Sequence, residues 1–111
     1  MELLFSGVPV ADFAAATQWY ERFFGRPPDV VVHDHEVMWR VSESGWVYVV
    51  RDPERAGRAL VAISVSDLPA ALDQVRGRGI AVPPVELIGD VERKASIADP
   101  EGNVVALIKT T

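Results

Sequence analysis

The chain has 111 residues, 49% of them hydrophobic, with 11 Lys and Arg against 16 Asp and Glu for a formal net charge of -5. That length holds one domain with a core and excludes a second; an acidic surface repels phosphate backbones and excludes nucleic acid as the expected partner. With no cysteine, disulfides, thiolate metal sites and cysteine nucleophiles are excluded together. No apolar run approaches the roughly 20 residues of a membrane span, so the expectation is a soluble, cytoplasmic protein with no membrane partner.

In chain order, the opening stretch is apolar, has no basic start and meets Asp12 early, so Leu3 to Val10 reads as a strand rather than a signal peptide. Asp12 suits an N-cap, because a carboxylate there accepts hydrogen bonds from unpaired backbone N–H groups. The helix that follows carries Ala16, Tyr20, Phe23 and Phe24 at helical spacing, and Gly25 is a natural left-handed stop. Trp19, Tyr20, Phe23 and Phe24 form a helix stripe expected in the core. Strands are then predicted at Val30 to Val32, Val37 to Val41 and Trp46 to Val50, separated by the polar turns His33-Asp34-His35 and Ser42-Glu43-Ser44-Gly45.

A charged linker, Asp52 to Arg58, leads to a second copy of the same order. Val10-Ala11-Asp12-Phe13 is echoed by Val65-Ser66-Asp67-Leu68, and repeats of this kind reveal architecture before any single element does. Leu60 to Val65 is the leading strand, Asp67 the cap, Leu68, Ala71, Leu72 and Val75 the helix stripe, and Gly79 the stop. Val85 to Ile88, Lys94 to Ile97 and Val104 to Ile108 are the closing strands, with Gly89-Asp90 and Asp99-Pro100-Glu101-Gly102-Asn103 as turns. The result is an α+β chain of two tandem β-α-β-β-β modules, residues 1–52 and 59–111 joined by 53–58. Neither four-stranded sheet can bury both faces alone, so the modules pair with each other or with another chain.

The order strand, Asp-[Phe/Leu], helix ending in Trp19-Tyr20-Glu21-Arg22-Phe23-Phe24-Gly25, repeated module and closing Asp99-Pro100-Glu101-Gly102-Asn103 resembles the vicinal oxygen chelate superfamily over essentially the whole chain. That superfamily includes glyoxalase I, extradiol dioxygenases and bleomycin resistance proteins. The resemblance implies curled mixed sheets forming a cup, often completed by a homodimer, with a divalent metal at the base in the enzymes. Carried onto this chain, the ligand positions fall at Phe5, Leu60, Ala106 and one of Trp46, Val47, Tyr48 and Val49. None supplies the imidazole or carboxylate such an ion needs. A shift of one residue restores nothing. The chain therefore resembles the metal-free bleomycin-resistance-like branch, for which no cofactor is expected.

Two histidines offer another donor set, since His33, Asp34, His35 and Glu36 have spacing that can share a strand face. Their place between two strands favours a hydrated turn instead. There is no nucleophile elbow, no phosphate-cradling glycine loop and no His-Glu pair at helical spacing. Ser6, Ser64, Ser66 and Ser96 have no evident base. Trp39, Trp46 and Tyr48 lie close together on two adjacent predicted strands, and a shared face would give an aromatic wall suited to a flat ligand; the same rings could equally fill a core. Among Arg40, Arg51, Arg93, Lys94 and Ser96, matching Gly45 to Gly102 sets Ser96 opposite Trp39 and Lys94 opposite Val37, aiming those two into the cup and Arg40 and Arg93 away. The candidate ligand-binding set is thus Phe5, Trp39, Trp46, Tyr48, Leu60, Lys94, Ser96 and Ala106, with no catalytic or metal-binding residue assigned. The expected function is non-catalytic sequestration of a small aromatic or heterocyclic molecule. An enzyme with a non-standard site, such as a lyase, isomerase or dioxygenase, and a regulatory or interaction subunit remain the alternatives.

Overall fold

The computed structural model describes residues 1–110. Its elements run β1 (Leu4–Val10), α1 (Phe13–Phe24), β2 (Val30–His33), β3 (Glu36–Arg40), β4 (Gly45–Arg51), β5 (Leu60–Ser64), α2 (Leu68–Gly77), β6 (Glu86–Ile88), β7 (Val91–Ala98) and β8 (Val104–Ile108). Every predicted element is present. The largest departure is β7, which begins at Val91 rather than Lys94 because it forms a tight hairpin with β6 across Gly89-Asp90. Its charged Glu92 and Arg93 can be accommodated in a strand that is not covered on both faces.

Both helices start as the sequence predicts. Asp12 accepts from the Ala15 N–H at 3.1 Å and Asp67 from the Ala70 N–H at 3.0 Å, and Pro69 sits in the first turn of α2, where a missing N–H costs nothing. Gly25 closes α1 with φ 75°, a left-handed conformation that any side chain would strain. On α1 the buried residues are Ala16, Trp19, Tyr20 and Phe23, and on α2 Leu68, Leu72 and Val75, the spacing of one helix face.

The strands form two four-stranded mixed sheets with orders β1-β4-β3-β2 and β5-β8-β7-β6. In each, the leading strand pairs parallel with the last strand of its module and the remaining pairs are antiparallel. Neither sheet closes into a barrel. This is the α+β, two-module architecture expected from the repeat. Strand alternation sends Val8, Val10, Val37, Trp39, Val47 and Val49 of the first sheet into one hydrophobic cluster with Val61, Ala95, Ile97, Val105 and Leu107 of the second and with both helix stripes. The two modules therefore share one core, on the helix side of both sheets.

Polar contacts tie the second module to both ends of α1. The Glu101 carboxylate accepts from the Ala11 N–H at 2.7 Å and the Asp12 N–H at 3.0 Å, just ahead of the helix, while the Arg78 guanidinium donates to the Arg22 and Phe23 carbonyls at its end. An acid at the N-terminus and a base at the C-terminus both oppose the helix dipole.

The Asp99-Asn103 turn is the other clasp. Asp99, buried, accepts from the Tyr20 hydroxyl and the Asn103 side-chain amide at Oδ2, both at 2.9 Å, and from the Glu101 and Asn103 backbone N–H groups at Oδ1. Asn103 donates onward to the Pro9 carbonyl and accepts from the Ala59 N–H, both at 2.9 Å. Burial foremost, then the Asp99 charge and hydrogen bond, push the Tyr20 hydroxyl well above the ordinary tyrosine pKa of 10.0. The residues that carried the family resemblance thus join β1, α1, the linker end and β8 in one network.

Candidate functional site

Each sheet keeps its second face free of helix, and the strand register decides which residues stand there. In the first sheet Phe5 pairs with Trp46, Gly7 with Tyr48, and Met38 with Tyr48. Residues directly opposite share a face, so Phe5, Trp46, Tyr48 and Met38 form one surface. The Phe5 and Trp46 rings stack at a centroid distance of 6.3 Å and an interplanar angle of 23°. Phe5 is 47% exposed, a large apolar area left open to solvent.

Gly7 is what lets the Tyr48 ring settle on this surface. A Cβ built at Gly7 would lie 2.6 Å from Tyr48 Cζ and Oη, so no larger residue fits while the ring stays in place. Met38 and Gly7 are site residues that the sequence reading missed. The signal for Met38 was alternation with the buried Val37 and Trp39; for Gly7 there was none, because a close approach across parallel strands depends on register.

In the second sheet Leu60 pairs with Val104, Ala62 with Ala106, and Ser96 with Ala106. Leu60, Lys94, Ser96 and Ala106 all line one cavity of about 190 Å³, together with Ala62 and Val104. Four of the expected residues are therefore brought together here, and three others (Phe5, Trp46 and Tyr48) on the first sheet. Leu60 is 84% exposed.

Trp39 does not join either group. It pairs with Val47, lies fully buried, packs its ring on Phe24 at 5.2 Å and donates from Nε1 to the Arg26 carbonyl at 3.0 Å. The expected three-ring wall is thus corrected to Phe5, Trp46 and Tyr48, with Trp39 in the core. The cause is a slip of one residue in matching the modules, which flips every side chain to the other face. Since Phe5 pairs with Trp46 as Leu60 pairs with Val104, the counterpart of Ser96 is Met38, not Trp39, and that of Lys94 is Glu36, not Val37. The same slip misplaced Arg40, which pairs with Trp46 and belongs to the open face; its guanidinium curls back to the Ser42 and Glu43 carbonyls at 3.0 and 2.8 Å. Arg93 reaches the Lys109 carbonyl.

The register also settles which first-module residue matches Ala106. It is Tyr48, so the four positions at which the superfamily resemblance sets metal ligands are Phe5, Tyr48, Leu60 and Ala106. Two alkyl groups, a phenyl and a phenol do not fit a hard or borderline divalent ion. Nor do the histidines form a substitute. His33 Nδ1 accepts from the His35 N–H at 3.1 Å, His33 Nε2 stands 3.9 Å from Glu36, and Asp34 and His35 make the turn between β2 and β3. Among the described residues no cluster of three His, Cys, Asp or Glu has the geometry to hold a metal ion.

Two open-faced sheets built from a repeated β-α-β-β-β unit, sharing a core on their helix side, define the class of paired-module proteins to which the sequence motifs pointed. No protein-family model matches the chain, and no curated protein is similar to it. Among solved structures, a glyoxalase/bleomycin resistance protein from Catenulispora acidiphila DSM 44928 matches with a TM-score of 0.94 and 34% identity, covering 100% of both chains. The chain therefore belongs to the glyoxalase/bleomycin resistance protein family. Its fold is shared by TnmS3, an antibiotic binding protein from Streptomyces sp. CB03234, with TM-score 0.76, 21% identity and 100% and 97% of the two chains covered. It is shared too by a bleomycin-binding protein complexed with bleomycin, with TM-score 0.79, 18% identity and 100% of both chains covered.

Proposed function

We propose that this protein binds and sequesters a small aromatic or heterocyclic molecule, such as an antibiotic, without a metal and without chemical turnover. The observation that carries the reading is the chemistry of the four positions Phe5, Tyr48, Leu60 and Ala106. Where the superfamily's enzymes need donors for an ion, this chain presents apolar and aromatic surface, and two of the four stand beside Trp46 on one face. Broad rings give large contact area at little conformational cost, which suits a planar ligand. Lys94 and Ser96 supply the polar groups that would orient it on the second sheet. The names of TnmS3 and the bleomycin-binding protein, as antibiotic binders of the same fold, support the class of ligand.

The working unit in this reading is a cytoplasmic homodimer in which the chain acts as one domain. Phe5, Leu60 and Leu4 are 47%, 84% and 69% exposed, on or beside the open faces. Exposed apolar area of that extent favours cover by a second copy, which would close a cup over the ligand.

The experiment is titration of chelator-treated protein with bleomycin and with planar aromatic antibiotics, followed by tryptophan fluorescence. Trp46 is the one half-exposed tryptophan, since Trp19 and Trp39 are buried. Saturable quenching that survives chelation, is lost in Trp46→Phe and returns the ligand unchanged is the expected result. A requirement for divalent metal, or consumption of the ligand, would overturn the proposal.

A further inference from the structure

A second cavity lies between the modules, on the helix side of the second sheet and at the β3 end of the first, where Arg40 and Val41 line it. Its volume is about 200 Å³, and it opens between the end of α1, the side of α2 that carries Ala71, Gln74 and Val75, and β5. Phe23, Phe24, Ile63, Val75 and Leu107 give it an apolar floor, and Ile63 and Leu107 alternate with the open-face Ala62 and Ala106, so the two cavities are separated by the thickness of a sheet.

The rim carries three arginines, Arg26, Arg40 and Arg78, with the Gln74 amide, and no acidic residue lines the cavity. Only Arg26 has a carboxylate partner among the described residues, Asp29 at 3.0 Å. Arg40 and Arg78 are fixed on neutral carbonyls, Ser42 and Glu43 for the one, Arg22 and Phe23 for the other. Each uses Nε and Nη2 for that purpose, leaving Nη1 without a hydrogen bond among the described residues. The carbonyls at the end of α1 offset part of the Arg78 charge, and the Asp29 carboxylate, which accepts from the Arg40 backbone N–H at 2.7 Å, lies within the field of Arg40 as well as of Arg26, leaving three guanidinium groups against one carboxylate. In a chain of net charge -5 this is a local reversal of sign beside apolar surface.

We infer that this inter-module cleft is a binding site for a small monocarboxylate with one ring or a short alkyl chain, separate from the open-face site. An apolar cavity of about 150 Å³ accepts a benzene ring, so about 200 Å³ takes one ring and a short acid tail. The ring occupies the Phe24 and Val75 side of the floor, and the carboxylate meets guanidinium groups that neighbouring carbonyls already hold in place. Prepositioned guanidinium forks bind carboxylates strongly because little side-chain freedom is lost on contact. The occupant touches both helices, so its binding also strengthens the packing of one module on the other.

The probes are 3-phenylpropionate and its neutral counterpart 3-phenylpropan-1-ol, titrated into isotope-labelled protein and read by backbone amide shifts. The expected result is saturable binding of the acid, with shifts at Ile63, Val65, Gln74 and Arg78, and weakening on the order of tenfold for the alcohol. Arg40→Gln, an exposed position outside the core, should weaken the acid alone. Ala71→Trp, which fills the cleft, should abolish binding of both while bleomycin titration of Trp46 fluorescence is unchanged. Absence of saturable binding, equal affinity for acid and alcohol, or shifts confined to Trp46 and Tyr48 would each overturn the inference. Because the probes and cavity differ from those of the open faces, failure here leaves the sequestration proposal standing, and the reverse.

Discussion

Tyr20→Phe removes one oxygen from the middle of the clasp between modules and changes nothing else in the ring's outline. The phenyl keeps its packing on Trp19, at a centroid distance of 4.7 Å, and on Trp39 at 6.2 Å. What is lost is the 2.9 Å bond to Asp99 Oδ2. Asp99 is only 4% exposed, so water does not replace the missing donor, and that oxygen is left with the Asn103 amide alone. A hydrogen bond to a charged, buried acceptor contributes about 1.5 to 3 kcal/mol. For a chain of 111 residues this lowers Tm by roughly 6 to 13 °C. Urea unfolding should show a reduced midpoint with unchanged slope, the signature of lost stability in an otherwise intact fold. Asn103→Ala should cost more, since Asn103 also holds the Pro9 carbonyl and the Ala59 N–H. A Tyr20→Phe protein within about 0.5 kcal/mol of wild type would refute the claim that this network carries the module contact.

The same hydroxyl sets an alkaline limit. The unfolded tyrosine loses its proton near pH 10 while folded Tyr20 keeps it, so above pH 10 the unfolded state binds fewer protons and stability falls with rising pH, by up to about 1.4 kcal/mol per unit. Comparing urea unfolding at about pH 9 and about pH 11 checks the sign; an identical fall in Tyr20→Phe would assign it to other groups. Gly7→Ala drives a methyl to within 2.6 Å of Tyr48, which should displace the ring, cost about 1 to 3 kcal/mol and weaken aromatic ligands. Calorimetric binding as tight as wild type would show that the Tyr48 ring position is unimportant. Glu101→Gln keeps the shape but removes the charge that meets the Ala11 and Asp12 N–H groups. It should cost about 1 kcal/mol at low salt and less at high salt, and a salt-independent loss in thermal melts would contradict the dipole argument.

The motifs that were most legible in the sequence turned out to be those that act locally. Asp12 and Asp67 cap, Gly25 stops a helix, and Trp19, Tyr20 and Phe23 bury at helical spacing, because each depends on neighbours a few residues away. On the second sheet Leu60 and Ala106 were legible through the family resemblance, by distance from Asp67 and from Asn103, whereas Lys94 and Ser96 were assigned to the same face from a Gly45-Gly102 match that set them opposite the wrong partners. The first sheet was harder. Trp39 and Trp46 are both large, apolar and close in sequence, and only pairing with Val47 on one side and Phe5 on the other separates the core ring from the open one.

The sequence by itself determined the two-module order, the caps and the lack of metal donors at the superfamily's positions, all of which follow from residue type and short spacing. Only the tertiary structure decided the faces, because strand register reverses every side chain when it slips by one. It also decided that the motif turn Asp99-Asn103 grips Tyr20 and Pro9 from the other module, and that Arg40 and Arg78, from different modules, line the same apolar cleft. Those contacts join residues far apart in the chain, where no local pattern carries the distance between them.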